Sequence, residues 1–346
     1  MIAVKTLKFK PGQVVKSLLI VVPERARDVI ERRYGLFGND SEGMTLEAIG
    51  DIYGITRERV RQIENFAMDT IKKSDAYNKA KPAFEDLEDY LISHGGVAKE
   101  ERIISELASD KTNQNNIIFL LNVGESFVRF KEDDHLHHRW TTDENVAEKV
   151  GESLKGLHRS LTYDDLVTEA EMLERFAEHL RNNLEEYATE HASKWLGLSK
   201  QISSNPLGEW GLTDSPSIKT RGIRDYAYLV LRKHGEPLHF TEVASKISEM
   251  FDREAHVATC HNELIKDDRF VLVGRGLYAL SEWGYTNGVV RDVIKNVLEK
   301  KGPLSKESIM SEVLKQRQVK ENTVYVNLQN QKYFKKDLKG RYTLVS

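Results

Sequence analysis

The chain has 346 residues, too many for one ordinary core, so roughly two to four domains are expected. Hydrophobic residues make up 40% and charged residues 30%, which fits folded globular domains and excludes a disordered or fibrous chain. The net charge of -3 argues against a polyanionic partner only on average, because 13 acidic and 6 basic residues lie between Asp143 and Lys194 while 13 basic and 6 acidic residues lie between Val289 and Ser346.

The first apolar run, Val14 to Val22, is interrupted by Lys16 and Ser17 and stops at Pro23. It is too short to span a bilayer, and it lacks the small-residue cleavage pattern of a signal peptide. No membrane partner and no export are expected. Cys260 is the single cysteine, so no internal disulfide can form and a reducing cytoplasm is the expected compartment.

Next comes TLEAIGDIYGITRERVRQIE, Thr45 to Glu64. Thr45 suits an N-cap, and the first helix is predicted from Leu46 to Tyr53. Gly54 can take the positive φ of a tight inter-helix turn. Thr56 caps a second helix that can run to about Lys73. Glu47 and Glu58 sit early in their helices, where the dipole favours acids. Ile49, Tyr53, Ile55, Val60 and Ile63 fall where two steeply crossed helices meet, and Gly50 is small at the point of approach. Together these features match a helix-turn-helix better than an ordinary helical hairpin.

The second helix opens with Arg57, Glu58, Arg59, Arg61 and Gln62. Arginine can hold guanine through two hydrogen bonds in the major groove, glutamine can do so with adenine, and glutamate can accept from cytosine. The competing reading is a solvated charged face. It is disfavoured because these residues open the helix that should enter the groove.

The stretch ERARDVIERRYGLFGNDSEGMTLEAIGDIYGITRERVRQIENFAMDTIKK resembles region 4 of primary-type bacterial sigma factors, over about Pro23 to Ser74. The resemblance implies that Arg57, Glu58, Arg61 and Gln62 read bases of a promoter -35 element. It also implies that Thr56 and Arg59 lie near phosphates; Thr45 and Lys72 are further phosphate candidates. Docking on the β-subunit flap of core RNA polymerase is implied as well. About twenty residues precede the module in this sequence, too few for a domain that melts the -10 element, so a complete initiation factor is not expected.

Two later segments repeat one plan. From Ile223 to Trp283, a helix (Tyr226 to His234) ends at Gly235 and Pro237–Leu238 follow. Thr241 is predicted to cap a second helix containing Val243, Ile247 and Met250. A third helix spans about Ala255 to Lys266, and RFVLVGRGLYAL supplies two strands around Gly274–Arg275–Gly276. From Val289 to Val345, a helix (Val290 to Lys300) ends at Gly302 and Pro303–Leu304 follow. Ser305 caps a second helix, the third runs from Thr323 to Gln331, and YFKKDLKGRYTLVS closes the unit. Three helices and a hairpin make a winged helix. On DYAYLVLRKHGEPLHFTEVASKI and FVLVGRGLYALSEWG, residues 222–284 resemble the HARE-HTH module, which the delta subunit of bacterial RNA polymerase shares. That resemblance implies a nucleic-acid or transcription-complex role.

The fold class expected is mainly α: a sigma region 4-like helix-turn-helix at 1–80, then tandem winged helices. These cover 83–142, with SFVRF and HHRW as a hairpin, a helical unit at 143–216 read as a degenerate winged helix with NPLGEWGL as its short wing, the HARE-HTH unit at 222–284, and a basic unit at 288–346. Linkers are predicted near Asp75 to Pro82, Thr141 to Glu144, Leu212 to Gly222 and Gly284 to Gly288. In the last unit Lys332, Lys335, Lys336, Lys339 and Arg341 cluster around Tyr333 and Tyr342. Lys335, Lys336, Lys339 and Arg341 are phosphate candidates, against the alternative of a plain solvated hairpin. The acidic stretch Asp143 to Glu190 is read as ordinary helix surface, with a face for a basic partner as the alternative.

Catalytic chemistry finds no foothold. His135, His137 and His138 lack the further ligands zinc needs, and Cys260–His261 belongs to another unit. Gly274–Arg275–Gly276 lacks the glycine and helix of a phosphate loop, and neither a P-loop nor a nucleophile elbow occurs. Asp164–Asp165 and Asp267–Asp268 read as helix-end acids. No enzyme activity, cofactor, metal or small-molecule ligand is expected. The expected function is a bacterial, cytoplasmic, nucleoid-associated and sequence-specific transcription regulator that binds double-stranded DNA, RNA polymerase or both. The alternative is a delta-like polymerase accessory protein with no DNA specificity of its own.

Overall fold

A computed structural model describes residues 7–36, 42–184, 189–285, 290–316 and 320–345. The chain divides into two compact units. One is Met1–Ser204 with Glu209–Thr213, and the other is Asn205–Gly208 with Asp214–Ser346.

In the first unit α1 (Pro11–Leu19), α2 (Glu24–Tyr34), α3 (Leu46–Tyr53) and α4 (Arg57–Lys72) are followed by α5 (Asp75–Ile92), β1 (Val97–Lys99), α6 (Glu100–Leu107), α7 (Lys111–Val123), β2 (Val128–Phe130) and β3 (Arg139–Thr141). Then come α8 (Glu144–Ser160), α9 (Glu169–Asn183), α10 (Thr189–Leu196), β4 (Ile202–Ser204) and β5 (Trp210–Leu212). The central strand β3 pairs antiparallel with β1 (Ala98 opposite Trp140) and with β2 (Arg129 opposite Trp140). Buried Trp140 donates from Nε1 to Glu100 Oε2 at 2.8 Å, which ties the sheet to the start of α6.

The linker predicted at Asp75 to Pro82 is helix. Ser74 Oγ accepts from the Tyr77 amide at 3.3 Å, so it caps α5, which runs through Pro82 without a break. An interior proline forfeits one backbone hydrogen bond. Burial of Tyr77, Ala80, Ala83, Phe84 and Leu87 along one face supplies the compensation. No boundary therefore separates 1–80 from 83–142: a single core joins Leu18 and Ile30 to Leu87, Leu120 and Trp140. The Thr141 to Glu144 joint is short, because Asp143 already caps α8.

α7 occupies the place of a reading helix in its winged unit, yet only Lys111 among its residues is exposed. Ile117, Phe119, Leu120, Leu121 and Val123 bury apolar surface nearly all round, and α1, α2 and α5 pack over it. Phe119 stacks edge-on with Tyr34 at 5.3 Å, and Asn115 Nδ2 donates to the Gly35 carbonyl at 2.9 Å. The loop before β3 is held too: Lys200 N donates to the His135 carbonyl at 2.7 Å and Gln201 Nε2 to the Asp134 carbonyl at 2.6 Å.

The second unit contains α11 (Ile223–His234), β6 (Leu238–His239), α12 (Phe240–Phe251), α13 (Val257–Lys266), β7 (Phe270–Gly274) and β8 (Leu277–Leu280). After them come α14 (Val290–Lys301), α15 (Lys306–Gln316), α16 (Glu321–Leu328), β9 (Phe334–Lys336) and β10 (Tyr342–Leu344). The two halves repeat one register. Gly235 and Gly302 end the first helices at φ 80° and 77°, then Leu238 pairs with Tyr278 and Leu304 with Tyr342. Each half has its own apolar core. In the first half the cap of α12 is His239, not Thr241. Its Nδ1 accepts from the Thr241 amide, while Glu242 accepts from the His239 amide at 3.1 Å. Asp225, buried on α11, receives Arg269 Nη2 at 3.0 Å and so pins that helix to the start of β7. Of the linkers predicted at 212–222 and 284–288, Leu212 instead closes β5, 213–222 are turns, bends and irregular backbone, and 286–288 lie outside the described residues. No described helix is long and apolar enough to cross a membrane.

Candidate nucleic-acid interface

α3 and α4 form the predicted helix-turn-helix with the predicted bounds. Thr45 Oγ1 accepts from the Ala48 amide at 3.1 Å, and Thr56 Oγ1 from the Arg59 amide at 3.2 Å. Gly54 closes α3 at φ 62°, and the Ile55 amide returns to the Gly50 carbonyl at 2.9 Å. Gly50 is required for a different reason from that expected. A Cβ there would meet the Ile55 carbonyl oxygen at 2.6 Å, so it is the turn backbone, not the second helix, that needs the space. Val29, Ile49 and Val60 form the buried seam, flanked by Tyr53, Ile55 and Ile63.

With Val60, Ala67 and Ile71 turned inward, Arg57, Glu58, Arg59, Arg61 and Gln62 stand exposed together on the outer face of α4. They are paired among themselves. Arg61 meets Glu58 in a fork, Nε to Oε2 at 2.9 Å and Nη2 to Oε1 at 2.6 Å. The guanidinium holds the Glu58 carboxyl below the usual carboxylate range, and Arg61 is raised in return. Arg59 Nη1 donates to Gln62 Oε1 at 2.9 Å. Arg59 therefore sits against a residue expected to read bases, although the resemblance placed it near phosphates. The i, i+3 spacing within RERVRQ was the available signal for both pairs.

The remaining phosphate candidates divide. Thr45 and Thr56 are exposed, their oxygens used in capping and each hydroxyl still able to donate. Lys72 is half-buried in the last turn of α4, about 15 Å beyond Gln62 at 1.5 Å per residue, and so lies far from the reading face. Phe66, one turn beyond Gln62, is 55% exposed and was not singled out from the sequence.

In the second unit Lys335, Lys336, Lys339 and Arg341 are exposed on the β9–β10 hairpin. Lys336 Nζ lies 5.0 Å from the centre of the Tyr342 ring, a cation–π position that leaves it outward. Arg341 differs from the lysines, because Asp337 holds its Nε at 2.9 Å.

The family model described as Sigma-70, region 4 matches residues 18–73. This chain carries a sigma region 4 module. The match contains α2, α3 and the whole of α4. Curated relatives match the same part. "RNA polymerase sigma factor SigA" of Microcystis aeruginosa and of Synechocystis sp. are each 46% identical over 54 residues, 16% of this chain and 12% of theirs. A Bacillus sp. protein of the same description is 34% identical over 71 residues, 20% of this chain and 18% of its own. The chain thus spans less than a fifth of the length of these relatives. A second family model, HARE-HTH, whose description includes "ASXL, restriction endonuclease HTH domain", matches residues 223–283, from α11 through the wing of β7 and β8.

The two matched modules present different surfaces. α13, the counterpart of α4, exposes Val257, Ala258, Thr259, Asn262, Ile265 and Lys266. Cys260, on the inner side of the same helix, is buried, its thiol pushed up to about 11 by burial, and so is inert. Among the described residues no group of three or more His, Cys, Asp or Glu side chains is placed to hold a metal ion. Asp165 is tied to Thr162 and Arg175, and Asp267 to Arg269, which are structural uses of the acid pairs.

Proposed function

We propose that this chain is a sequence-specific, DNA-binding transcription regulator of bacterial type that acts at a -35-like promoter element. One observation carries the reading: Arg57, Glu58, Arg61 and Gln62 share one exposed face of a helix fixed in a helix-turn-helix, inside the segment that matches sigma region 4. Arg61 and Arg57 can each grip a guanine edge, Gln62 an adenine, and Glu58 a cytosine amine. The Glu58–Arg61 and Arg59–Gln62 pairs hold these side chains in order before DNA arrives. Each pair must open or turn when a base edge replaces its partner. Lys335, Lys336 and Lys339 add phosphate contacts that make binding salt-dependent without choosing a sequence.

Core RNA polymerase is the second partner in this reading, with the β flap as the docking point for the region 4 module. The exposed face of α13 favours a protein contact for the HARE-HTH module. Val257 at 44% and Ile265 at 61% exposure offer apolar area, where a phosphate-binding surface would offer more cations than Lys266 alone. If that contact dominates, the chain acts as a polymerase accessory protein. We assign it no catalytic step and place it in the cytoplasm, at the nucleoid. Selection of bound duplexes from a randomised pool, with and without core polymerase, tests the reading. Enrichment of one sequence block by the chain alone supports it. Retention of polymerase with no enriched block supports the accessory role instead.

A further inference from the structure

The reading helices of the winged units are not equivalent. α7 is covered by its own unit, and α13 exposes Val257, Ala258 and Ile265 with Thr259, Asn262 and one cation, Lys266, beside a wing whose tip carries Arg275. α16 differs from both. Val324 and Leu328 face the core, and the opposite face exposes Asn322, Thr323 and Val326. Ser305 caps α15 through the Ser308 amide at 3.2 Å, so α15 and α16 stand as the two helices of a helix-turn-helix ahead of the wing.

Charge around this face is mainly basic, with Glu321 exposed in the first turn of α16 and Glu307 near Lys336. Lys320 is exposed at the start of α16, and Lys332, Lys335, Lys336 and Lys339 follow along the wing. Two further acids are engaged with cations, Asp337 with Arg341 and Glu312 with Lys301 at 2.6 Å and Lys315 at 3.1 Å, so the five lysines outnumber the acids that face them. At the wing tip Leu338 is 108% exposed, as open as a side chain can be, between Lys336 and Lys339. A bare leucine amid lysines gains nothing in water. It gains on wedging between base steps from the minor-groove side, where it meets the apolar faces of the bases while cations hold the flanking phosphates.

We propose that α16 and the β9–β10 wing form a second duplex-reading surface, with Asn322, Thr323 and Val326 against an A·T-containing major groove and Leu338 in the adjacent minor groove. Asn322 can take adenine through N6 and N7. Val326 can cover the thymine methyl, and the Thr323 hydroxyl serves either base. The proposal rests on the DNA-binding reading above and extends it: the chain recognises two sequence blocks, one by α4 and one by α16.

The test is selection from a randomised duplex pool by the full chain, by Arg61→Ala, by Asn322→Ala/Val326→Ala and by Leu338→Asp. The wild-type chain should enrich two blocks. The α16 double variant should lose the A·T-containing block and bind the selected duplex about tenfold or more weakly, with random duplex changed less than about twofold. Leu338→Asp should weaken the selected duplex several-fold with no change in melting temperature, because that side chain touches nothing. Arg61→Ala should erase only the other block. One enriched block, lost in Arg61→Ala and intact in both unit-2 variants, overturns this proposal and leaves the α4 reading standing. One block lost only in the α16 variant overturns the α4 reading instead. No enrichment by the wild-type chain overturns both.

Discussion

α4 and α13 hold the same place in two helix-turn-helix units, and each lies inside a segment that a family model matches. Their supports are alike: a preceding helix, a left-handed residue at its end (Gly54 at φ 62°, Asp252 at φ 47°), and an apolar inner stripe. Their outer faces share almost nothing. One shows three arginines, a glutamate and a glutamine in its first turns, and the other shows valine, alanine, threonine, asparagine and isoleucine, with a single lysine in its last turn. The scaffold fixes where a side chain stands, and the side chain fixes what it can hold. Fold alone therefore assigns neither helix its ligand.

The hardest way to break the comparison is to break the scaffold. Gly50→Val places a branched side chain against the Ile55 carbonyl, where even a Cβ stands at 2.6 Å. Loss of about 3 kcal/mol or more is expected, with loss of DNA binding. Chemical denaturation followed by region-specific hydrogen exchange checks it; unchanged protection of residues 46–72 would falsify the account of this turn.

A smaller change sharpens the contrast between outer faces. Arg61→Ala should lower affinity for the selected duplex by about 1–3 kcal/mol and relax preference at one base position. The matching change on α13, Asn262→Ala, should leave DNA affinity within about twofold. Mobility shifts on both variants decide the matter, and equal losses would abolish the distinction. Lys336→Ala should weaken all duplexes alike and lower the salt slope by about one.

The smallest expected effect separates the units by pH. His158, on α8 in the unit that contains α4, is held below its usual 6.5, first by burial and then by His135, whose ring lies 6.0 Å away. Its folded pKa lies under its unfolded one, so the unfolded chain binds more protons in that window. The contribution is present above about pH 6.5 and declines as the pH falls below it. Thermal melting at about pH 7.5 and about pH 5.5 should show the loss, and His158→Gln should shrink it. A variant with the full pH dependence would exclude this residue.

Much of this was legible in the chain. Thr45, Gly54 and Thr56 punctuate α3 and α4 so clearly that the bounds follow from capping chemistry alone. The paired leucines after Gly235 and Gly302 announce the repeat in the second unit. Other features needed packing. Asp75 to Pro82 carries the polar residues and proline of a linker, and only the burial of Tyr77, Ala80 and Phe84 makes it helix. α7 declares a buried helix through its run of Ile117 to Leu121, but nothing local says that α1 and α2 supply the cover. The Glu58–Arg61 and Arg59–Gln62 pairs sit at helical spacing, yet which partner each arginine takes is decided by rotamers, not by order along the chain.

The uninterrupted α5 gives the first unit a mechanical character. Only Lys73 and Ser74 separate α4 from a helix whose flank is embedded in the same core, so the region 4 module is welded to its neighbour and does not swing on a tether. Once α4 settles into a groove, the acidic surface of α8 and α9 is carried to a set bearing around the duplex axis. A protein gripping that surface would inherit the angular phase of the bound site, as a bracket transmits the angle of the wall to which it is fixed.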